Sequence, residues 1–287
     1  MLQEQVPTQE QRHFAVIGGG KMGEAILSGW LASTQVPADE LQSQMFTVVE
    51  PGEERRAFLT ETYGVECVAD ASGVTAADVV VLSVKPQVMS DALAVVRENP
   101  CFGGGADGPL FVSIAAGLTC ERLLAQLPAG ARLVRVLPNM PLTIGAGASA
   151  VTGAPGADEA DVRYVADLFG CLGVAVVVEE SQMDAVCALS GSGPAYVAAL
   201  VESLRDAAAA HGLDADLAEK LAIQTVYGTS RLMAQEDRDP AELRISVCSP
   251  GGTTLAALDA MQAEGFDAVF RAGIDAAVRR SQELAQC

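Results

Sequence analysis

Residues 14–23 read FAVIGGGKMG, an apolar run broken at once by glycines at positions 18, 20 and 23. An apolar run of that length makes a short buried strand. The G-x-G-x-x-G spacing turns it sharply into a helix whose free N–H groups accept a dinucleotide pyrophosphate. Gly18 allows the tight turn, Gly20 lets the pyrophosphate approach the backbone, and Gly23 lets helix and strand pack closely. Lys21 and Met22 open the helix, where partial positive charge gathers. The chain is therefore predicted to begin with a strand-turn-helix that binds NAD(H), NADP(H) or FAD.

The pattern that follows extends this start into a sheet. Apolar or β-branched runs at 13–18, 45–50, 65–69, 78–85, 110–115, 133–137 and 174–179 read as strands. Helical segments are expected at 21–32, 53–63, from 88, and at 157–169. Near-continuous apolar strands between helices predict a parallel sheet covered on both faces. The strand pattern after Pro141 is weaker, and the order of that sheet edge does not follow from it. After Glu180 the texture changes to alanine, leucine and spaced charges. Helices are expected at 182–189, 194–211, 214–235, 255–264 and 266–284, with Pro194 in a first turn where its missing N–H is harmless. The division falls at residues 1–180 and 181–287, with residues 1–12 expected to be flexible. The alanine-rich helices suit a dimer interface or a monomeric helical domain.

The net charge of -19 argues against nucleic acid, whose phosphates would be repelled. The seven cysteines form no C-x-x-C pair and are scattered in apolar surroundings. They read as reduced cytoplasmic thiols, with Cys287 alone expected to be exposed. No secretory signal is read at the polar start, and the longer apolar runs, interrupted by glycine, proline or charge, give no clean membrane span.

Candidate site residues lie at strand ends and in small-residue islands. Glu50 ends the second strand, where an acid accepts hydrogen bonds from adenosine ribose hydroxyls and repels a 2′-phosphate. Arg55 and Arg56 follow, either as partners for that phosphate or as solvated helix charge. Lys85, in SVKP, contacts cofactor or substrate, or simply ends its strand. Asn139, in PNMP, is a turn former or a functional amide. The islands LSGSGPAY at 189–196 and CSPGGTT at 248–254 each precede an apolar helix. Each reads as a nest for an anion such as a carboxylate, or as a plain helix cap. His13 and His211 have no suggestive neighbours, and no metal-ligand cluster is evident. Few histidines and many small donors suit hydride transfer to an already cationic carbon.

Taken in order, IGGGKMGEAI, SVKPQ, SIAAG at 113–117, RVLPNMP, MDAVCALSGSGPAY and VCSPGGTTLAAL resemble the pyrroline-5-carboxylate reductase family over residues 13–284. The last two segments are specific to it. The resemblance implies an α/β Rossmann-like N-terminal domain and an all-helical C-terminal dimerisation domain. It implies a homodimer at least, and decamers in some members. The cofactor would be NADPH or NADH, the substrate 1-pyrroline-5-carboxylate and the product L-proline. The site would lie where the first domain of one subunit meets the helical domains of the dimer.

By the same resemblance Gly18, Gly20, Lys21, Met22, Gly23, Glu50, Ser83, Lys85, Pro86 and Asn139 would hold the cofactor. Ser249, Gly251, Gly252, Thr253 and Thr254 would hold the substrate. Thr254, near the ring nitrogen, Asn139 and Lys85 would serve catalysis. Two positions depart from the family pattern. Met140 replaces the usual threonine of P-N-T-P, and Glu50 stands where NADPH-preferring members leave room for a phosphate. The alternative reading is an NAD(P)H-dependent reductase of another cyclic imine carboxylate. A 2-hydroxy acid dehydrogenase would want a placed histidine, and a non-catalytic nucleotide sensor would not need Asn139 and Thr254.

Overall fold

The opening strand and helix form as their patterns dictate. In the computed structural model, which describes residues 12–33 and 41–286, β1 (Phe14–Ile17) turns into α1 (Lys21–Ala32). The expectations for residues 1–11 and for Cys287 lie outside the described residues. There follow β2 (Phe46–Val49), α2 (Glu53–Tyr63), β3 (Glu66–Val68), β4 (Val79–Leu82), α3 (Met89–Glu98), β5 (Leu110–Ser113) and α4 (Cys120–Leu124). Then come β6 (Arg132–Leu137), β7 (Gly147–Gly153), α5 (Glu159–Gly170), β8 (Gly173–Val177) and α6 (Met183–Val186).

The eight strands form one sheet in the order β3-β2-β1-β4-β5-β6-β7-β8. β1 to β6 are parallel, but β7 runs antiparallel to β6, and β8 lies parallel to β7. The sheet is parallel as expected through β6, and the edge that the sequence left unordered is mixed. Only residues 138–146 separate β6 from β7, too few for the crossover a parallel pair needs. A 3-10 turn at Met140–Ile144 and Gly145 at φ +70° reverse the chain instead. β7 reads GASAVTG, whose small residues hide a strand from sequence.

Strand alternation sends side chains to two cores. One face packs Phe14, Val16, Phe46 and Val81 with Ile26 and Trp30 of α1 and Phe169 of α5. Trp30 Nε1 donates to the Leu168 carbonyl at 2.8 Å, so the buried indole is satisfied. The other face packs Ile17, Val80, Leu82 and Phe111 with Leu93 of α3 and Leu123 of α4. This is the Rossmann-like sandwich expected.

Among the described residues, compactness separates those up to Gly191 together with those from Val278 onward from residues 192–277. The first unit keeps α6 and a π-helical turn at Cys187–Gly191, and Ser281 Oγ donates to Asp184 at 2.6 Å within it. The second unit is helical: α7 (Gly193–Ala210), α8 (Ala215–Glu236), α9 (Pro240–Ser246), α10 (Thr253–Ala263) and most of α11 (Phe266–Gln286). Asp214 caps α8 and Asp239 caps α9, with Pro240 in the first turn of α9. That helix is absent from the sequence expectation because seven residues are too few to display a helical period. Within the second unit the buried apolar residues are Ala218, Ala222 and Leu243, whereas Val197, Leu221, Tyr227, Val269 and Phe270 stand exposed.

The helical run Glu180–Ala210 is long and apolar enough to cross a membrane by length and composition, and little of it is buried within the chain. The sequence reading found no clean membrane span among the longer apolar runs because glycine, proline or charge interrupts them, and this stretch carries Ser-Gly-Ser-Gly-Pro at 190–194. The π-helical turn and a proline in the first turn of α7 absorb those residues without leaving helical structure.

Candidate active site

The parallel strands release their C-terminal ends at one edge of the sheet, and most candidate residues of the first unit leave from there. The order reverses at β1 and β4, the switch point where open α/β sheets bind ligands. The glycine turn sits on it. Gly18 has φ +111°, a left-handed conformation, and its N–H donates to Val49 O at 2.9 Å. A Cβ on Gly23 would lie 2.1 Å from the Gly18 carbonyl oxygen, so only glycine lets α1 approach the turn.

Gly20 differs. A Cβ there would meet nothing within 4 Å, so packing within the chain does not demand glycine. Gly20 is exposed, caps α1 with extended backbone and brings no side-chain cap to the helix start. The N–H groups of the first turn, at Lys21, Met22 and Gly23, therefore have no side-chain cap, and the Gly20 position before them is bare. That cradle fits a dinucleotide pyrophosphate, held by those N–H groups and by the helix dipole.

Side chains pin the turn from both sides. Ser83 Oγ donates to the carbonyls of Ile17 (3.1 Å) and Gly18 (2.7 Å). Arg55 Nε donates to Gly19 O at 2.8 Å, and its guanidinium pairs with Glu24. Tyr63 donates to the other Glu24 oxygen at 2.8 Å. Burial pushes the Glu24 pKa up, but the Arg55 and Tyr63 hydrogen bonds outweigh it and hold the carboxyl below its ordinary value. Arg55 is thus committed to the turn.

Glu50 follows β2, and its Oε1 accepts from Gly52 N–H at 2.9 Å. Arg56 donates to the carbonyls of Glu50 (2.9 Å) and Pro51 (2.7 Å), so a cation and a carboxylate share this strand end. Lys85 and Pro86 are exposed, with Pro86 opening a 3-10 turn after β4.

Asn139 follows β6, and both ends of its amide are engaged. Nδ2 donates to Ser190 O at 3.1 Å, and Oδ1 accepts from Ala148 N–H at 2.8 Å. It is neither a free amide nor a plain turn former: it ties its loop to β7 and to the π-helical turn. Met140 beside it is 67% exposed, so the side chain that replaces threonine has no packing role in the chain.

Of the two small-residue islands, the first runs from the π-helical turn through Ser192 into α7, which begins at Gly193 without a side-chain cap. Ser190 Oγ donates back to Val186 O at 3.1 Å, and no open helix start forms at 187–191. The second island is open. Gly251 has φ +69°, Gly252 N–H closes a turn on Ser249 O at 2.9 Å, and α10 begins at Thr253 without a side-chain cap. The helix start without a side-chain cap and two threonines adjoin there, a set of donor groups suited to a carboxylate. Ser249, Gly251, Gly252, Thr253 and Thr254 thus form one local cluster in the second unit.

Two polar residues of the first unit escaped sequence reading. Arg135 on β6 is buried and pairs with Glu180 at 2.8 Å. Glu180 also accepts from the Cys120 backbone N–H (3.0 Å) and thiol (3.1 Å). Burial, then the Glu180 carboxylate, pushes the Cys120 thiol up to about 12, which leaves it unreactive near neutrality. Among the described residues the cysteines are free thiols.

Residues 180–284 match the family described as pyrroline-5-carboxylate reductase dimerisation, and residues 13–117 match that described as NADP oxidoreductase, coenzyme F420-dependent. A pyrroline-5-carboxylate reductase of Synechocystis is 38% identical over 94% of this chain and 97% of its own. One from Pseudomonas aeruginosa is also 38% identical, over 95% of this chain and 96% of its own. Among solved structures, a pyrroline-5-carboxylate reductase from Coxiella burnetii superposes with a TM-score of 0.87 at 30% identity, covering 96% of this chain and 99% of that one. A Plasmodium falciparum pyrroline carboxylate reductase with NADP bound gives 0.80 at 25% identity, over 96% and 99%. With its Rossmann-like cradle and its helical second unit, this chain belongs to the pyrroline-5-carboxylate reductase family and is an NAD(P)H-dependent oxidoreductase.

Proposed function

We propose that the protein reduces 1-pyrroline-5-carboxylate to L-proline, the last step of proline biosynthesis. The observation that carries this reading is the end-to-end kinship with curated reductases of that substrate. The open donor cluster at 249–254 agrees with it, because the substrate brings a carboxylate.

NADH or NADPH, when bound, supplies the hydride. The protein's residues bind, orient and polarise. The bare Gly20 position and the first-turn N–H groups of Lys21, Met22 and Gly23 hold the pyrophosphate, with Gly18 and Ser83 fixing the turn. Lys85 and Pro86 line the cofactor at the end of β4. Asn139 acts by holding its loop, since both ends of its amide are already bonded. The Ser249, Gly251, Gly252 and Thr253 cluster holds the carboxylate by N–H groups and hydroxyls. Thr254 donates or accepts a hydrogen bond at the ring nitrogen. The protonated nitrogen makes the C=N carbon electrophilic, the hydride adds there, and the nitrogen keeps its proton as the amine forms. A neutral threonine is too weak an acid to protonate the ring unaided, so its role is orientation.

Glu50 favours NADH, because a 2′-phosphate would meet its carboxylate. Arg56 supports the opposite preference, and the two charges make the ratio informative. The exposed apolar faces of the second unit read as the surface of a homodimer rather than a lipid contact, in a cytoplasmic protein; a decamer is a size outcome to be measured. Residues 1–180 would then serve the cofactor, and 181–287 the substrate and the dimer.

The test is oxidation of NADH and of NADPH, in parallel, with 1-pyrroline-5-carboxylate and with its six-membered cyclic analogue. Matched proline formation and a preference for the five-membered imine are expected. A faster rate with the larger ring would move the assignment to that substrate. Thr254→Ala is expected to lower turnover by about tenfold while changing cofactor affinity less than about twofold. Equal losses in both would remove Thr254 from the reacting centre.

A further inference from the structure

The face of β6 that carries Leu133 and Leu137 also carries Arg135, a charged residue only 5% exposed. Arg135 Nη1 bonds Glu180 Oε1 at 2.8 Å, while its Nε is buried and finds no hydrogen-bond partner. Neighbouring strands place Ser113 and Thr152 opposite it in register. A buried guanidinium with one N–H unsatisfied stabilises a fold less well than an apolar side chain of similar volume. Packing alone therefore gives no account of an arginine here.

Geometry does. Four residues on, at the end of the same strand, Asn139 donates to Ser190 O. Glu180 and Ser190 bracket one segment, the turns that follow β8. That segment is thus fastened to β6 and its loop twice, by an ion pair at one end and an amide at the other. Between the fasteners Met183 packs in a small apolar cluster with Leu137 and Ala150. The Glu180 carboxylate is itself held by the Cys120 backbone N–H and thiol, so the ion pair has a fixed anchor. If Glu180 lets go, the segment pivots on its apolar contact, and the Ser190 carbonyl is displaced from Asn139. Of the two Asn139 side-chain bonds, only that to Ala148 then remains, while buried Leu142 still anchors the far side of the loop.

We propose that Arg135 and Glu180 are positioning residues: their ion pair clasps the 180–191 segment to β6 and so holds the Asn139 loop in place beside the cofactor crevice. The catalytic consequence rests on the reductase reading; the loop-holding consequence does not. Neither residue touches substrate or cofactor in this role.

The experiment measures three things on full-length Glu180→Ala, Glu180→Gln and the double variant Arg135→Met/Glu180→Ala. These are thermal stability, amide hydrogen exchange across residues 139–148, and steady-state kinetics with NADH and 1-pyrroline-5-carboxylate. Glu180→Ala leaves a buried cation without its partner and is expected to lose both stability and turnover. Glu180→Gln keeps an acceptor for Arg135 and retains most of each. The double variant removes the stranded charge, so the part of the stability loss due to that charge returns, while the Cys120 N–H still lacks its acceptor. Its turnover stays down by about tenfold or more, and exchange at Ala148 stays faster, because the clasp is still missing. NADH affinity changes less than about twofold throughout, since the glycine turn is untouched.

Recovery of both turnover and protection in the double variant would show a purely structural pair and overturn the proposal. Unchanged protection at 139–148 in every variant would overturn it as well. If the unmodified protein does not reduce this imine, the reductase reading fails, and exchange at Ala148 still decides the clasp. If Glu180→Ala does not fold, the double variant and Glu180→Gln carry the same comparison.

Discussion

The two units of this chain handle apolar surface in opposite ways. In the first, Trp30, Phe14, Phe46, Phe111 and Phe169 are fully buried between sheet and helices. In the second, Phe266 and Phe270 stack edge-to-face at 5.0 Å yet are 44% and 46% exposed, and Tyr227 is 55% exposed. A sheet with helices on both faces closes its own core. Helices presenting apolar residues on outward faces bury them only against something else. The first unit encloses its large aromatic side chains, while the second leaves apolar faces open, in keeping with its match to a dimerisation family.

The strongest way to break this contrast is to damage each unit alike. Phe111→Ala, inside the first core, is expected to destabilise by about 3–5 kcal/mol, with a melting shift independent of protein concentration. Phe270→Asp, on the second unit, is expected to weaken self-association and make melting strongly concentration-dependent. Analytical ultracentrifugation beside thermal melts reads both. A Phe270→Asp protein that sediments and melts like the parent would mean that this face is not an interface.

Within the glycine turn the contrast sharpens to two positions three residues apart. Gly23→Ala puts a Cβ 2.1 Å from the Gly18 carbonyl, so the turn must shift, costing about 1–3 kcal/mol together with cofactor affinity. Gly20→Ala meets nothing in the protein. It is expected to leave the melting temperature almost unchanged while weakening NADH binding by about tenfold, through the contact a pyrophosphate would make. Calorimetric titration and melting on both variants separate the effects; equal affinity for Gly20→Ala and the parent would empty the cradle of its assigned role.

Legibility followed the range of the interactions. The strands FAVI and VVVL and the turn between β1 and α1 announce themselves because burial and glycine chemistry are local. β7 did not, since GASAVTG has little β-branched content and its reversed direction is set by the length of a connection. Asn139 was legible as a candidate, but its role was not. Its partners, Ser190 and Ala148, lie 51 and 9 residues away. Arg135 and Glu180, 45 apart, read as an isolated basic strand residue and an ordinary acid. The SPGGTT donors of the second unit were visible, and the π-helical turn at Cys187–Gly191 in the first unit was not, because residue type alone does not distinguish π from α.

A smaller effect tests the charge balance at the end of β2. Glu50→Gln removes the carboxylate while keeping an acceptor for Gly52 N–H. The ratio of kcat/KM for NADH over NADPH is expected to fall by about tenfold, which corresponds to about 1.4 kcal/mol. An unchanged ratio would assign the preference to groups other than Glu50.

The smallest effect compares two ion pairs, one in each unit. Glu24 is part-buried, with Arg55 and Tyr63 on its two oxygens, and its pKa lies below the ordinary 4.5 despite burial. Asp206 pairs with Arg205 on an exposed helix surface, and the Arg205 hydrogen bond lowers its pKa too. A carboxyl with a depressed folded pKa stabilises the native state above its unfolded pKa, and that stability is lost as pH falls through the folded value. Glu24→Gln is therefore expected to flatten the acid limb of a melting curve below about pH 4.5, by well under about 1 kcal/mol. Asp206→Asn should alter it less, because solvent and salt screen that pair, and added salt should erase the Asp206 difference first. The measurement is melting temperature against pH at two ionic strengths. A larger acid-limb change for Asp206→Asn than for Glu24→Gln would mean that the brace on the glycine turn contributes less than a surface pair, and that the turn is held by its glycines and Ser83 alone.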